Sequence, residues 1–582
     1  MSRVHYTPRS SAQGAYPWRM GLLLGVLSLA ALTLAGVAVR LQLLDHRFLA
    51  RQGDARSLRQ VATAAHRGSI VDRYGEPLAV STPVDAVWVN PQELATQADR
   101  LPALEQSLGL GRGELARKLN ANLDREFLFV ARGLQPADAR KVRALNIGGV
   151  NFTREYRRYY PAGEVTGHLL GFTNIDDGGQ DGLELLLDGK LAGEDGIKRV
   201  IQDSRGRKVE DVESILAVRP GQNQTLSIDL RLQYLAYRAL KSAVAENHAK
   251  GGSLVVIDVQ TGEILAMVNQ PAFNPNDRKQ LTAGVYRNRA ATDLMEPGSI
   301  FKPFVVAAGL ASGRYGADSI IDTGNGVLQV GANVVTDEHA IGAASLATVL
   351  ARSSNVGMAK LALSLDPQQI WKTLNAFGFG QVTHTNLPAE SAGLLSNYAN
   401  WRSITISTIS HGYNVGVTPL QLAQGYATIA AYGVRHKLTL QKIDGPVAGE
   451  QAVDANACRT LIGLMEAVTT EDGATGKRAQ IPGYRVSGKT GTAWKNTGGS
   501  YSKDRFVSSF GGIVPASAPR LAAVVVIDEP SGAGFSHQGG GVAAPVFAEV
   551  MGGALRLLGI PPDLPGNGDH ESRVPQRRVA LR

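Results

Sequence analysis

The stretch Ser253-Leu254-Val255-Val256-Ile257-Asp258-Val259, Gln260-Thr261-Gly262, Glu263-Ile264-Leu265-Ala266-Met267-Val268 decides the fold. Two apolar runs rich in β-branched residues flank a tight turn, which is the pattern of a β-hairpin. Three more strand candidates lie near the far end of the chain: Tyr484 to Ala493, Phe506 to Val514 and Leu521 to Ile527. Between the two groups, from Phe304 to Met465, the apolar spacing is mostly helical. Strands first and last with helices between predict an α+β domain, with one mainly antiparallel five-stranded sheet whose distant pieces meet in space under a cover of helices. A short strand at Thr225 to Asp229, followed by a helix from Leu230 to Asn247, marks where this domain begins.

Just after the hairpin comes Glu296-Pro297-Gly298-Ser299-Ile300-Phe301-Lys302-Pro303-Phe304. Pro and Gly before a Ser, then an apolar run to Leu310, read as a turn feeding a helix. Ser299 then sits where free N–H groups and the helix dipole favour negative charge. Lys302, three residues on, shares its face. A hydroxyl, a nearby amine and a positive field are the parts of an activated nucleophile. Alone, the pattern is a weak signal and reads more readily as a capped helix with a solvated lysine.

The remaining chain supplies context. At 582 residues it exceeds one ordinary domain. The formal charge of +9 is scattered, and no basic run is interleaved with aromatics as a nucleic-acid groove requires. It suits a membrane surface or an acidic cell-wall polymer. The single Cys458 excludes an intrachain disulfide and a cysteine-rich metal site, and its helical apolar neighbours make it a core residue. Met20 to Val39 is an uncharged run long enough to span a bilayer. Gly36-Val37-Ala38 resembles a cleavage site, but the apolar run exceeds that of most signal peptides, so an uncleaved anchor is the expectation. A short inside tail and the bulk of the chain outside follow from the brevity of residues 1–19. Leu41 to Val61 reads as a juxtamembrane helix or linker, Arg67 to Ala79 as a hairpin, residues 91 to 146 as helical, and Arg154 to Pro161 as a second extended region. The Arg and Tyr cluster there is expected to pair its charges across a domain interface rather than to bind a ligand. Gly182-Leu183-Glu184 opens a helix, and Pro561 to Arg582 is a Gly/Pro-rich tail.

Two further stretches bear on Ser299. Arg352-Ser353-Ser354-Asn355-Val356 offers a hydroxyl at Ser353 and an amide at Asn355, two apart on a turn. Lys489-Thr490-Gly491-Thr492 lies on a predicted strand, where Gly491 leaves room for a substrate backbone and the Thr492 N–H can complete an oxyanion hole with that of Ser299. Each tripeptide is common by chance. In the order Ser-x-x-Lys, Ser-x-Asn, Lys-Thr-Gly, each on the element its role requires, they form a specific signal. Gly483 to Thr490 also matches a phosphate-binding loop, but Tyr-Arg-Val-Ser is β-prone and strand follows, so the loop context is missing. His339, following Asp337-Glu338, lacks a second histidine at ligand spacing and reads as cleft-lining or core. His411-Gly412-Tyr413-Asn414 sits in a loop before Thr418-Pro419 and is assigned no catalytic role. Asp528-Glu529 are adjacent at a strand end, and adjacent strand residues point to opposite faces.

On these motifs the chain resembles a class B penicillin-binding protein, a peptidoglycan D,D-transpeptidase of the division type. The resemblance runs from the anchor to about residue 550. It takes in Arg67 to Ala79, Arg154 to Phe172, Thr261 to Met267, Glu296 to Ser299, Thr418 to Gln421 and Phe510 to Pro515. It implies a cytoplasmic tail at 1–19, an anchor at 20–39, an elongated α+β pedestal domain without catalytic activity at 40–224, a penicillin-binding, serine β-lactamase-like transpeptidase domain at 225–560 and a flexible tail at 561–582. It further implies that Ser299 is acylated, Lys302 is its general base, Ser353 relays a proton to the leaving amine and Asn355 binds the substrate backbone. Lys489 would keep the field positive, and Thr490 and Thr492 would contact the substrate carboxylate beside Gly491. Ile300 departs from the small or hydroxyl residue usual among relatives, with its side chain expected to face away.

The implied substrate is the D-Ala-D-Ala end of a peptidoglycan stem peptide, with β-lactams as trapping mimics and neither metal nor other cofactor. The implied setting is the inner membrane, single-pass, with a periplasmic catalytic domain at the division site. The implied partners are a lipid-linked glycan polymerase and other division proteins, with no nucleic acid. Alternatives are an elongation-type enzyme, a β-lactamase or carboxypeptidase on the same scaffold, and a catalytically minor scaffold protein. The absence of a Glu-x-x-Leu-Asn deacylation motif, with the anchor and pedestal, argues against the lactamase.

Overall fold

The alternation along the opening hairpin is realised as a strand buried on both faces. Val255 and Ile257 enter one apolar cluster, while Leu254 and Val256 enter another on the opposite side. The computed structural model describes residues 17–564 apart from 203–207, 278, 280, 281, 283, 446 and 532–536. Most of the expected cytoplasmic tail and the C-terminal tail from residue 565 lie outside the described residues.

Helix α1 (Leu230–Glu246) precedes strands β1 (Gly251–Asp258) and β2 (Ile264–Gln270). Then follow α2 (Lys302–Ala311), α3 (Leu346–Ala351), α4 (Asn355–Leu363), α5 (Pro419–Ala430) and α6 (Ala455–Thr470). Strands β3 (Ser487–Thr497), β4 (Ser500–Val514) and β5 (Leu521–Asp528) and helix α7 (Gly539–Leu557) complete the unit. The sheet order is β2-β1-β5-β4-β3, antiparallel throughout, with Val255 opposite Val524 and Thr490 opposite Phe510. Early and late strands therefore interleave, as the order of elements predicts. One face packs on α1 and α7 through Leu232, Leu240, Phe547 and Val550, and the other on α2, α5 and α6 through Phe304, Tyr426 and Leu461. Strand β3 is an edge, so one row of its backbone groups has no strand beside it.

By contacts the chain forms two compact units, neither contiguous in sequence. One comprises residues 1–64, 85–153 and 195–219, the other 65–84, 154–194 and 220–582. In the first, helix Pro17–Val39 carries the apolar run, and the span Trp18–Leu44 is apolar and wholly unburied. Helix His46–Ser57 then leads into a three-stranded sheet of Leu58–Thr63, Gly196–Gln202 and Lys208–Leu216. Residues 91–146, expected to be helical, contain four short helices but also the strand Leu128–Leu134, which pairs with Asp85–Val89. Tertiary pairing overrides local propensity there.

In the second unit the segments 65–84 and 154–194 fold onto the core built on the five-stranded sheet. The carboxylate of Glu184, fully buried, accepts from Arg67 Nε at 2.9 Å and from Arg158 Nε at 2.6 Å. The Arg and Tyr cluster thus pairs inside one unit rather than across an interface. A buried carboxylate held by two guanidinium groups satisfies charges that would otherwise be strongly destabilising. Asp72 accepts from Leu230 N at 3.1 Å, fixing the start of α1. Cys458 is fully buried, as its neighbours predict.

Candidate active site

Ser299 lies in a single 3₁₀ turn, Gly298–Phe301, that runs directly into α2 at Lys302. Gly298 makes the turn possible. Its φ is +61°, and a Cβ there would lie 2.9 Å from Ala493 Cβ on β3. Gly298 N–H donates to Gly412 O at 3.0 Å, and a Cβ on Gly412 would strike Gly298 O at 2.1 Å. The nucleophile turn is therefore clamped between β3 and the His411–Asn414 loop. Tyr426, buried on α5, donates to Ile300 O at 2.9 Å. Ser299 remains partly exposed while Ile300, Phe301 and Lys302 are buried, so the hydroxyl faces outward from a rigid base.

Lys302 and Lys489 are both fully buried. The Lys302 amine donates to Ser353 O at 2.5 Å, Ser353 Oγ at 3.1 Å and Asn355 Oδ1 at 2.8 Å. The Lys489 amine donates to the same Ser353 Oγ at 3.0 Å, to Thr490 O at 3.0 Å and to Thr490 Oγ1 at 3.2 Å. Ser353 Oγ thus bridges two amines from α2 and β3. The Ser299 hydroxyl has no hydrogen bond among the described residues, so the lysine is anchored to its relay partners rather than to the nucleophile. Burial pulls the Lys302 amine down to about 7, against a smaller opposing pull from Asp337 and Glu338. Burial, then the charge of Lys302, pushes Lys489 well below the ordinary lysine range. The same effects, burial first and Lys302 second, depress His411 to about 3, so this ring is neutral.

Ser353 occupies the turn between α3 and α4 with φ +57°, a conformation that a non-glycine residue holds only when its surroundings enforce it. The enforcement comes from Asp337, on the loop after the ribbon of Val327–Val330 and Asn333–Thr336. It accepts from Ser354 Oγ at 2.6 Å, Asn355 N at 2.5 Å and Val356 N at 2.9 Å. Asn355 is held at both ends of its amide, since its Nδ2 also donates to Thr336 O at 3.1 Å. The sequence named Asp337 only as a neighbour of His339; the long-range approach of the ribbon to α4 carries no local signal. His339 itself is exposed, so its core reading falls, and no metal-holding group of three His, Cys, Asp or Glu occurs among the described residues.

On β3, Thr490 Oγ1 donates to Thr475 Oγ1 at 2.7 Å, and Gly539 N–H, at the start of α7, donates to Thr492 Oγ1 at 3.1 Å. The N-terminus of a long helix therefore points its positive end at the hydroxyl pair. Gly491 has a different role from the one expected. A Cβ there would lie 2.3 Å from Ser509 Oγ and 2.9 Å from Ile300 Cβ. The missing side chain lets the nucleophile turn and β4 close on β3, rather than opening space for a substrate backbone. Ile300 likewise faces away from the cleft, against Gly491. The phosphate-loop decoy ends as strand, as its β-prone residues require.

The described geometry brings Ser299, Lys302, Ser353, Asn355, Lys489, Thr490 and Thr492 into one neighbourhood on α2, the α3–α4 turn and β3. Such a cluster can accept a hydroxyl proton, pass a proton through Ser353 and bind an anion.

Residues 252–552 match the penicillin binding protein transpeptidase domain, and residues 62–226 the penicillin-binding protein dimerisation domain. The chain is 41% identical over 562 residues to the peptidoglycan D,D-transpeptidase FtsI of Escherichia coli K12, covering 96% of this chain and 95% of that one. It is 40% identical over 546 residues to the probable peptidoglycan D,D-transpeptidase PbpC of Pseudomonas aeruginosa, covering 94% and 96%. Among solved structures it resembles penicillin binding protein 3 of Mycobacterium tuberculosis complexed with aztreonam. That match has TM-score 0.66 and 25% identity, covering 87% of this chain and 99% of the other.

Proposed function

The chain belongs to the class B, FtsI-like penicillin-binding protein transpeptidases, and from that premise we propose that Ser299 is the acylated nucleophile of a peptidoglycan D,D-transpeptidase. The observation that carries the assignment is Ser353 Oγ held between the two buried amines of Lys302 and Lys489, one turn from a partly exposed Ser299. Ser299 Oγ attacks the penultimate D-Ala carbonyl while its proton passes to neutral Lys302. The N–H groups of Ser299 and Thr492 face the oxyanion, and Ser353 delivers a proton to the departing D-Ala nitrogen. A second stem-peptide amine then attacks the ester. A C–N bond forms, the C–O bond breaks, and the amine's surplus proton returns through the relay to Ser299.

Two buried amines joined through one hydroxyl hold a single proton between them more readily than two. In this scheme Lys489 shares the positive field with Lys302 rather than supplying it alone. The helix end at Gly539 adds the positive potential that Thr490 and Thr492 need for the substrate carboxylate. Asn355 orients Lys302 through Oδ1, and its contact with substrate backbone requires its Nδ2 to leave Thr336 O.

Residues 225–560 serve as the catalytic domain and 40–224 as a non-catalytic pedestal, a division supported by the two family matches. Single-pass insertion in the inner membrane, a periplasmic catalytic domain and work at the division septum alongside a lipid-linked glycan polymerase and other division proteins are supported by the unburied span Trp18–Leu44 and by the near full-length similarity to FtsI.

The test is labelled penicillin. Wild-type protein gives a long-lived adduct on Ser299, and Ser299→Ala folds with an unchanged Tm and gives none. Retained labelling in that variant, or rapid turnover of the adduct in the wild type, overturns the reading.

A further inference from the structure

After α7 the chain turns back towards the sheet. Gly559, with φ +63°, donates its N–H to Arg556 O at 3.2 Å, and Ile560 N–H donates to Leu555 O at 2.9 Å, which closes the helix. Ile560 is buried and shares an apolar cluster with Ile481 and Val486. Residues Ile560 to Leu564 then grip the run Gly483 to Arg485, just upstream of β3. Tyr484 OH donates to Ile560 O at 2.6 Å, Arg485 N–H to Asp563 Oδ1 at 2.7 Å and Leu564 N–H to Gly483 O at 3.0 Å. The other oxygen of Asp563 accepts from Ser517 Oγ at 2.7 Å and from Ser517 N–H at 3.2 Å, on the turn between β4 and β5. One carboxylate thus ties the entry of β3 to the β4–β5 turn.

The ladder between β3 and β4 begins only at Ser487, opposite Ile513, so Gly483 to Arg485 lie outside it. Two other contacts hold this run. Ala516 N–H donates to Arg485 O at 2.9 Å, and Glu466 on α6 accepts from Arg485 Nε at 2.8 Å and Nη2 at 2.6 Å. The Arg485 guanidinium is exposed, so that ion pair contributes little. Backbone N–H groups donating to the Asp563 carboxylate make the stronger, charge-assisted kind of bond.

At its other end α7 meets the catalytic part of the same strand. Gly539 N–H donates to Thr492 Oγ1, and a Cβ on Gly539 would lie 2.3 Å from Gly491 O. Nineteen helical residues rise about 28 Å, and the nine residues from Tyr484 to Thr492 extend about 30 Å. Helix α7 therefore lies along β3 as a splint fixed at both ends, with Lys489 and Thr490 between. Pro545 removes one hydrogen bond from inside α7, so the fixed ends carry more of the bracing.

We propose that Asp563 is a positioning residue for the transpeptidase reaction. By locking the splint it sets where the Lys489 amine meets Ser353 Oγ and where Thr490 and Thr492 meet the substrate carboxylate. The proposal rests on the transpeptidase reading. A slip of β3 along α7 draws Lys489 Nζ away from Ser353 Oγ, now 3.0 Å distant, while Lys302 keeps its own three acceptors. The nucleophile and its base survive such a slip, but the relay and the carboxylate site do not.

The experiment uses the full chain in detergent, well below the Tm of every variant. It follows the second-order rate of acylation by a fluorescent penicillin and, in parallel, amide hydrogen exchange. Asp563→Ala should slow acylation at least about fivefold, since small misplacements of reacting groups are expensive in rate. It should also speed exchange of the amides of residues 483–490 while leaving those of β1 and β5 at wild-type rates. Asp563→Asn keeps an acceptor for Arg485 N–H and should recover most of the acylation rate. Ser517→Ala removes one donor to the carboxylate and should slow acylation about twofold, which carries the test if Asp563→Ala does not fold. Leu183→Ala, in the buried core but on the segment 154–194, separates positioning from stability. It should lower Tm at least as much as Asp563→Ala and yet acylate at the wild-type rate. Wild-type acylation by Asp563→Ala overturns the proposal, as does equal slowing in Leu183→Ala. Failure of the wild type to label sinks the transpeptidase reading instead.

Discussion

At the residue scale the decisive quantity is the protonation of Lys302. Its amine falls to about 7 because burial outweighs the pull of Asp337 and Glu338. A base must be neutral to accept the Ser299 proton, so the acylation rate by a fluorescent penicillin should rise about tenfold per pH unit below 7 and level off above it. The linkage to stability has the same sign. An unfolded lysine holds its proton to about pH 10, the folded Lys302 loses it near 7, and between those values stability rises with pH. Asp337→Asn removes one charge that supports the ammonium while keeping an acceptor for the α4 N–H groups. The midpoint of the rate profile should therefore move below that of the wild type, and an unmoved midpoint refutes the electrostatic assignment. The reacting groups were legible in the sequence because Ser299 and Lys302, Ser353 and Asn355, and Lys489 to Thr492 are each close together along the chain and each need a particular local element. Asp337 was not, because its work on Ser354 and Asn355 depends on a ribbon arriving from elsewhere.

At the element scale, β3 and the nucleophile turn behave as one part. Gly491→Ala would put a Cβ 2.3 Å from Ser509 Oγ and 2.9 Å from Ile300 Cβ. Overpacking of this kind costs about 1–3 kcal/mol and here also shifts Ser299. We expect Gly491→Ala to lower both Tm and the penicillin acylation rate, the latter by at least about tenfold, since small misplacements of reacting groups are expensive in rate. Adding Ser509→Gly should restore part of both, because it removes the nearer clash; a double variant no better than the single one argues against the packing account. The strands of the sheet were legible from their β-branched runs. The strand Leu128–Leu134 was not, being short and set among helix formers. Nor was the strand end at Asp528-Glu529. Glu529 has φ +50°, which breaks the alternation and brings both carboxylates to Lys495 at 2.6 Å.

At the scale of the whole molecule, the boundary that sequence order suggests and the boundary that packing draws differ. The segments 65–84 and 154–194 precede residue 225, yet they belong to the same compact unit as the central sheet. Ile70, Leu78, Leu169, Leu170, Leu183 and Leu191 share one apolar cluster with Leu226, Ile228 and Val255. Arg73 also reaches Glu263 on the hairpin at 3.4 Å, and Asp72 secures the first turn of α1. Burying each such leucine or isoleucine is worth roughly 1.5–3 kcal/mol. A fragment of residues 225–564 should therefore melt roughly 5–10 °C below one of residues 45–564, both lacking the span Trp18–Leu44. The same fragment should still be labelled by penicillin, because the hydrogen bonds of Lys302, Ser353 and Lys489 are made wholly within residues 302–490. Equal melting temperatures would show that the earlier segments lie on the sheet without stabilising it. Loss of labelling with folding intact would show that they position the site as well as support it.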